Sequence, residues 1–65
     1  MLKKASDIKP GDIIRIEYGN YNNWVRFTVD DITLKNEDAA TVSCHAGNIS
    51  EKFDMQPDSI VEVVS

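Results

Sequence analysis

No apolar run in this sequence is longer than two residues; pairs such as Ile13-Ile14, Ile60-Val61 and Val63-Val64 are the limit. A membrane-spanning helix needs about 20 successive apolar residues, so neither such a span nor the apolar stretch of a secretion signal is encoded. Cysteine occurs once, at Cys44. An internal disulfide needs two, which excludes the stapled mini-domain of secreted proteins and makes the cytoplasm the expected compartment. Histidine also occurs once, at His45, leaving too few ligands for a structural zinc site. There is no phosphate-binding loop, no dinucleotide fingerprint and no H-E-x-x-H pair. The expectation is a chain without metal or cofactor. No ten-residue window sustains a 3.6-residue period, and no repeat, linker or low-complexity tract interrupts the sequence.

What remains is a globular composition. Of 65 residues, 42% are apolar and 28% charged, enough for a single domain over residues 1–65 and too little for a second core. The net charge of −4 is unevenly placed. Residues 1–29 carry five basic and three acidic side chains, whereas residues 30–65 carry two basic and eight acidic ones. A general nucleic-acid coat needs Lys and Arg to neutralise phosphate, and the overall charge disfavours it.

Strands dominate the pattern. Pro10-Gly11-Asp12 reads as a turn, because proline presets φ and glycine accepts positive φ. Asp12–Tyr18 then alternates, with Ile14, Ile16 and Tyr18 on one face and Ile13, Arg15 and Glu17 on the other. After the polar loop Gly19–Asn23, Trp24–Val29 alternates again, with Val25, Phe27 and Val29 inward. These two strands should form a hairpin. Placing Arg15 opposite Arg26 would face like charges. The register with Glu17 opposite Arg26, Ile16 opposite Phe27 and Ile14 opposite Val29 is therefore expected. It also sets Trp24 across from Gly19 and Ile13 across from Asp30, next to Asp12, making an acidic patch with Asp30 and Asp31.

The odd-numbered inward series breaks at Asp31 and resumes on even numbers at Ile32 and Leu34. One extra residue at Asp30-Asp31 repairs the phase, which predicts a β-bulge and a bend in the second strand. Lys35–Asp38 reads as a turn, Thr41–Ala46 as a strand with Val42, Cys44 and Ala46 inward, and Gly47-Asn48 as a two-residue hairpin turn. That turn pairs Ala46 with Ile49, Cys44 with Glu51 and Val42 with Phe53. Glu51 thus falls on the apolar face, costly unless it is paired, at an open end, swung outward by a bulge or covered by another chain. A helical turn is expected at Gln56–Ser59, and a last strand at Ile60–Val64. A second single turn, capped by Ser6 or Asp7, would end before Pro10.

The stretch Gly11-Asp12-Ile13-Ile14-Arg15-Ile16-Glu17-Tyr18-Gly19 resembles the G-D-x-V-x-V-x-x-G opening of KOW and related SH3-like modules. Pro57–Val64 is similar to the turn and final strand that close SH3-like barrels. The resemblance implies an all-β, five-stranded, partly open SH3-like barrel with a bulged second strand and a helical turn before the last strand. In such barrels the first long loop and its aromatic side chains line the ligand groove. That implies a binding face from Tyr18, Tyr21 and Trp24, with Arg15 and Arg26 on the adjoining strands. Tyr, Trp and Arg are also the residue types enriched where binding energy concentrates.

Catalysis is not expected. Cys44 and His45 are adjacent in a strand and point to opposite faces, so they cannot act as nucleophile and base. So small a barrel cannot enclose a substrate pocket of about 300 Å³ or more. The expected function is a non-enzymatic module that binds a protein or peptide, through the aromatic loop or a strand edge, with self-association as a further route. Single-stranded nucleic acid or a nucleotide stacked on Tyr21 or Trp24 near Arg26 is the alternative. A third reading has Asp30, Asp31, Glu37, Asp38, Asp54 and Asp58 mimicking phosphates, as acidic proteins of mobile elements do.

Overall fold

A computed structural model describes residues 1–64 as one antiparallel sheet of six strands. The strands are β1 (Leu2–Lys4), β2 (Ile13–Glu17), β3 (Trp24–Asn36), β4 (Ala39–Ala46), β5 (Ile49–Met55) and β6 (Ile60–Val63). Their order in the sheet is β1-β6-β2-β3-β4-β5, with β1 and β5 at the two edges. The sheet is all-β and compatible with a barrel-like shape, but it is not closed. No helix among the described residues is long and apolar enough to cross a membrane.

The strand count exceeds the expected five because the lead-in is itself paired: Leu2 faces Glu62, Lys3 faces Val61 and Lys4 faces Ile60. Two lysines and one leucine show no strand periodicity, and the pairing depends on β6, some sixty residues away. The expected helical turn at Gln56–Ser59 is a hydrogen-bonded turn without helix, closed by the Ser59 amide to the Gln56 carbonyl at 3.0 Å. The single turn expected before Pro10 is present as a 3₁₀ turn at Ala5–Asp7, but no side chain caps it. It is held from outside, since the amides of Ala5 and Ser6 donate to the carbonyls of Ser59 and Pro57 at 2.8 and 2.9 Å.

The bulge falls where the phase broke. Val29 pairs with Cys44 and Asp31 with Ser43, which leaves Asp30 as the extra residue. A second irregularity between Leu34 and Asn36 had no signature in the pattern. Beyond it the β4–β5 hairpin has the predicted register throughout, from Ala46–Ile49 to Ala40–Met55. Gly47, at φ +60°, supplies the positive φ its turn requires.

The β2–β3 register departs from expectation. Arg15 does face Arg26, Ile14 faces Phe27, Ile16 faces Val25 and Glu17 faces Trp24. The loop decides it. The Tyr18 amide donates to the Asn23 carbonyl at 2.9 Å, the Asn22 amide to Glu17 Oε2 at 2.8 Å, and Asn23 Nδ2 to the Tyr18 carbonyl at 2.8 Å. Gly19 and Asn22 take φ of +75° and +62°, a conformation glycine and asparagine tolerate best. Four residues thus span the turn, and the repulsion between Arg15 and Arg26 is relieved from the strand on the other side. There Glu62 of β6 faces Arg15, with Nη1 to Oε1 at 3.3 Å.

The inner face gathers Ile8, Ile14, Phe27, Val29, Val42, Cys44, Val61 and Val63 into one buried cluster. Phe27, fully buried, meets Tyr18 and Phe53 edge to face at centroid distances of 5.4 and 5.3 Å. Such pairs add about 0.5–1.5 kcal/mol beyond the area they bury.

Candidate functional site

The five residues proposed from sequence divide among three places. Arg15 and Trp24 share the outer face of β2 and β3, where the guanidinium carbon lies 5.0 Å from the Trp24 ring centroid. Arg26 stands beside them, directly across from Arg15, and forms no ion pair among the described residues. Tyr21, 88% exposed, is at the loop tip. Tyr18 belongs to the opposite face: it packs on Phe27 and Phe53, and its hydroxyl donates to Glu51 Oε2 at 2.7 Å. Trp24 does not cover Gly19, because the register sets it opposite Glu17.

Around Trp24 the structure adds residues that the sequence pattern did not single out. An open groove of about 400 Å³ is lined by Leu2, Trp24, Ile60 and Met55, with Arg15, Glu17 and Glu62 among its polar residues. Leu2, Trp24 and Ile60 are 69%, 49% and 61% exposed, three large apolar side chains in one concavity. Exposed apolar side chains scattered singly need no explanation, but a clustered set marks a surface available for contact. The signal was weak because Leu2 and Ile60 lie at opposite ends of the chain. Only the insertion of β6 between β1 and β2 brings them to Trp24.

The electrostatics of this groove are balanced locally. Arg15 is shared between the Glu62 carboxylate and the Trp24 ring. A guanidinium over an indole is worth roughly 0.5–1 kcal/mol at an exposed site and covers one ring face. Glu17 closes the far side of the groove while its Oε2 accepts from the Asn22 amide.

The other candidate groups are tied into the fold. Asp12 accepts from the Lys9 amide at 3.0 Å and pairs with Lys3 Nζ at 3.5 Å. The hydrogen bond from the Lys9 amide holds its carboxyl below the usual range, with the lysine charges helping and burial opposing. The expected patch of Asp12, Asp30 and Asp31 does not form: Thr28, not Asp30, faces Ile13, and Asp30 turns to His45. His45 Nδ1 lies 2.8 Å from Asp30 Oδ1 and 2.9 Å from Oδ2. Cys44 is buried at 1% exposure, and burial above all, then Asp30 and Glu51, pushes its thiol up to about 11. Among the described residues no group of three or more His, Cys, Asp or Glu side chains could hold a metal ion. A second open groove, of about 360 Å³, lies beside β4 and β5.

No family model matches the chain, and neither the curated proteins nor the solved structures hold a significant match to it.

Proposed function

We propose that this chain is a small non-enzymatic binding module that takes an apolar segment of a protein or peptide into the groove beside Trp24. The observation that carries this reading is the joint exposure of Leu2, Trp24 and Ile60 in one concavity of about 400 Å³. An indole anchored by a neighbouring guanidinium is a rigid contact surface with little side-chain entropy left to lose.

The fold reading goes with it. The meander β2–β5, bent at Asp30 and followed by a final strand that returns to β2, supports an SH3-like barrel with β1 added outside β6.

Nucleic acid is the weaker fit. Stacking needs a free aromatic face and phosphates need unpaired cations. Arg15 covers one face of Trp24 and is itself paired with Glu62, and Glu17 adds a second carboxylate. Arg26, Tyr21 and the second face of Trp24 are what remain for that reading.

Selection from a displayed peptide library tests the proposal. Enriched peptides should carry a large apolar residue, should perturb Trp24 fluorescence, and should lose at least about tenfold in affinity against the variants W24A and I60D. Absence of enrichment, or binding indifferent to both substitutions, would refute it. Quenching of Trp24 by a short oligonucleotide at low salt would favour the nucleic-acid alternative.

A further inference from the structure

The free edge of β5 is a second surface, which meets the Trp24 groove only at Met55. Among the described residues β5 pairs with β4 alone, and its other side has no strand neighbour. Hydrogen-bonded and non-hydrogen-bonded pairs alternate along an antiparallel ladder. The two-residue turn Gly47-Asn48 closes on the hydrogen-bonded pair Ala46–Ile49. Ile49, Glu51, Phe53 and Met55 therefore direct their amides and carbonyls to β4. Those of Ser50, Lys52 and Asp54 point to the open edge, where all three residues are exposed.

We propose that this edge pairs antiparallel with the same edge of a second copy of the chain, on a two-fold axis at Phe53. The register follows from charge. To keep inner faces together, odd-numbered residues of one copy must face odd-numbered residues of the other. Among such symmetric pairings, one places Glu51 on itself, one Lys52 on itself and one Asp54 on itself, each a like-charge contact. Centring on Phe53 avoids all three. It sets Lys52 opposite the second copy's Asp54, and Asp54 opposite the second copy's Lys52.

The backbone agrees with that choice. Lys52 and Asp54 both present their amides and carbonyls outward, so each opposed pair exchanges two hydrogen bonds. Phe53 sits at a non-hydrogen-bonded position, where opposed residues approach most closely. The half-buried Phe53 rings of the two copies meet there on the inner face. Thr41 of β4 helps, since its hydroxyl donates to Asp54 Oδ1 at 2.7 Å and leaves Oδ2 for the incoming ammonium. A lysine on an edge strand ordinarily discourages pairing. Here its partner charge lies two residues along the same edge.

Sedimentation equilibrium across a concentration series, on the full chain, tests the inference. The wild type should approach twice the chain mass as concentration rises. The single exchanges K52D and D54K, each of which opposes like charges twice across the axis, should weaken the dimer by at least about tenfold. The double exchange K52D/D54K should restore it. Circular dichroism of each variant confirms that the exposed substitutions leave the sheet intact. A single-chain mass up to about 1 mM would overturn the proposal. So would a dimer insensitive to both single exchanges. Loss of the dimer in I60D with K52D unaffected would also overturn it, placing the second copy on the Trp24 groove instead.

Discussion

The Tyr18 hydroxyl donates to the Glu51 carboxylate at 2.7 Å, joining the end of β2 to β5 across 33 residues of sequence. The bond accounts for a carboxylate on the apolar face of β5: Glu51 is half-buried and paired, not stranded. It also holds the Tyr18 hydroxyl above its ordinary pKa of 10.0, chiefly through the hydrogen bond, with burial and the nearby charge adding to it. The folded state thus favours the protonated phenol. Its contribution to stability is complete below the ordinary tyrosine range and is lost as pH rises through the raised value. In E51A the tyrosinate absorbance of Tyr18 should therefore appear at lower pH than in the wild type. An unchanged titration would mean that the bond is not formed in solution.

Cys44 should be chemically silent while the domain is folded. Its thiol is buried and pushed up to about 11, so almost no thiolate exists at neutral pH. A chromogenic thiol reagent should react with the denatured chain at once. With the native chain it should react only at the rate of opening, and faster in variants of lower stability.

Asp12 couples the domain to acid. Its carboxyl titrates below the usual carboxylate range, so the stabilisation is present above that range and fades as pH falls through the lowered value. Replacement by asparagine keeps an acceptor for the Lys9 amide but removes the charge facing Lys3. D12N should cost about 1 kcal/mol or less at neutral pH, and the difference from wild type should shrink in acid denaturation curves.

Removing Asp30 should cost more than replacing it, because the bend goes with the side chain. D30A forfeits the contact to His45 and leaves the count of residues intact; a loss of about 1 kcal/mol is expected. Deleting the residue returns β3 to an unbroken two-residue period that keeps Val29 and Ile32 both inward, but it removes the bulge and the bend the bulge gives the strand. Both variants should retain a cooperative thermal transition, with the lower midpoint in the deletion; a deletion as stable as D30A would show that the bend adds nothing.

Much of the sheet could be read from the chain because its determinants are local. The Gly47-Asn48 turn specifies every pair of the β4–β5 hairpin, and the break at Asp31 specifies the bulge. The β2–β3 register could not be reached by comparing two strands alone. The charge that neutralises Arg15 arrives on β6, and the bonds that close the Gly19–Asn22 turn come from the Glu17 and Asn23 side chains and the loop backbone. The same limit applied to the candidate site. Trp24 and Arg15 stood out by residue type, but Leu2 and Ile60 acquire meaning only once β6 separates β1 from β2. Tyr18 was counted with the binding aromatics although its alternation with Ile14 and Ile16 already placed it inward, where it packs on Phe27.

Among the described residues, the three-residue strand β1 has β6 as its one strand partner. Releasing it breaks no other strand pairing, so it can detach with a smaller free energy than global unfolding requires. Leu2 leaves with it, and the groove beside Trp24 loses one wall. Detachment of β1 would therefore reshape the groove. A ligand resting on Leu2 would bind the docked population and draw the lead-in strand onto the sheet.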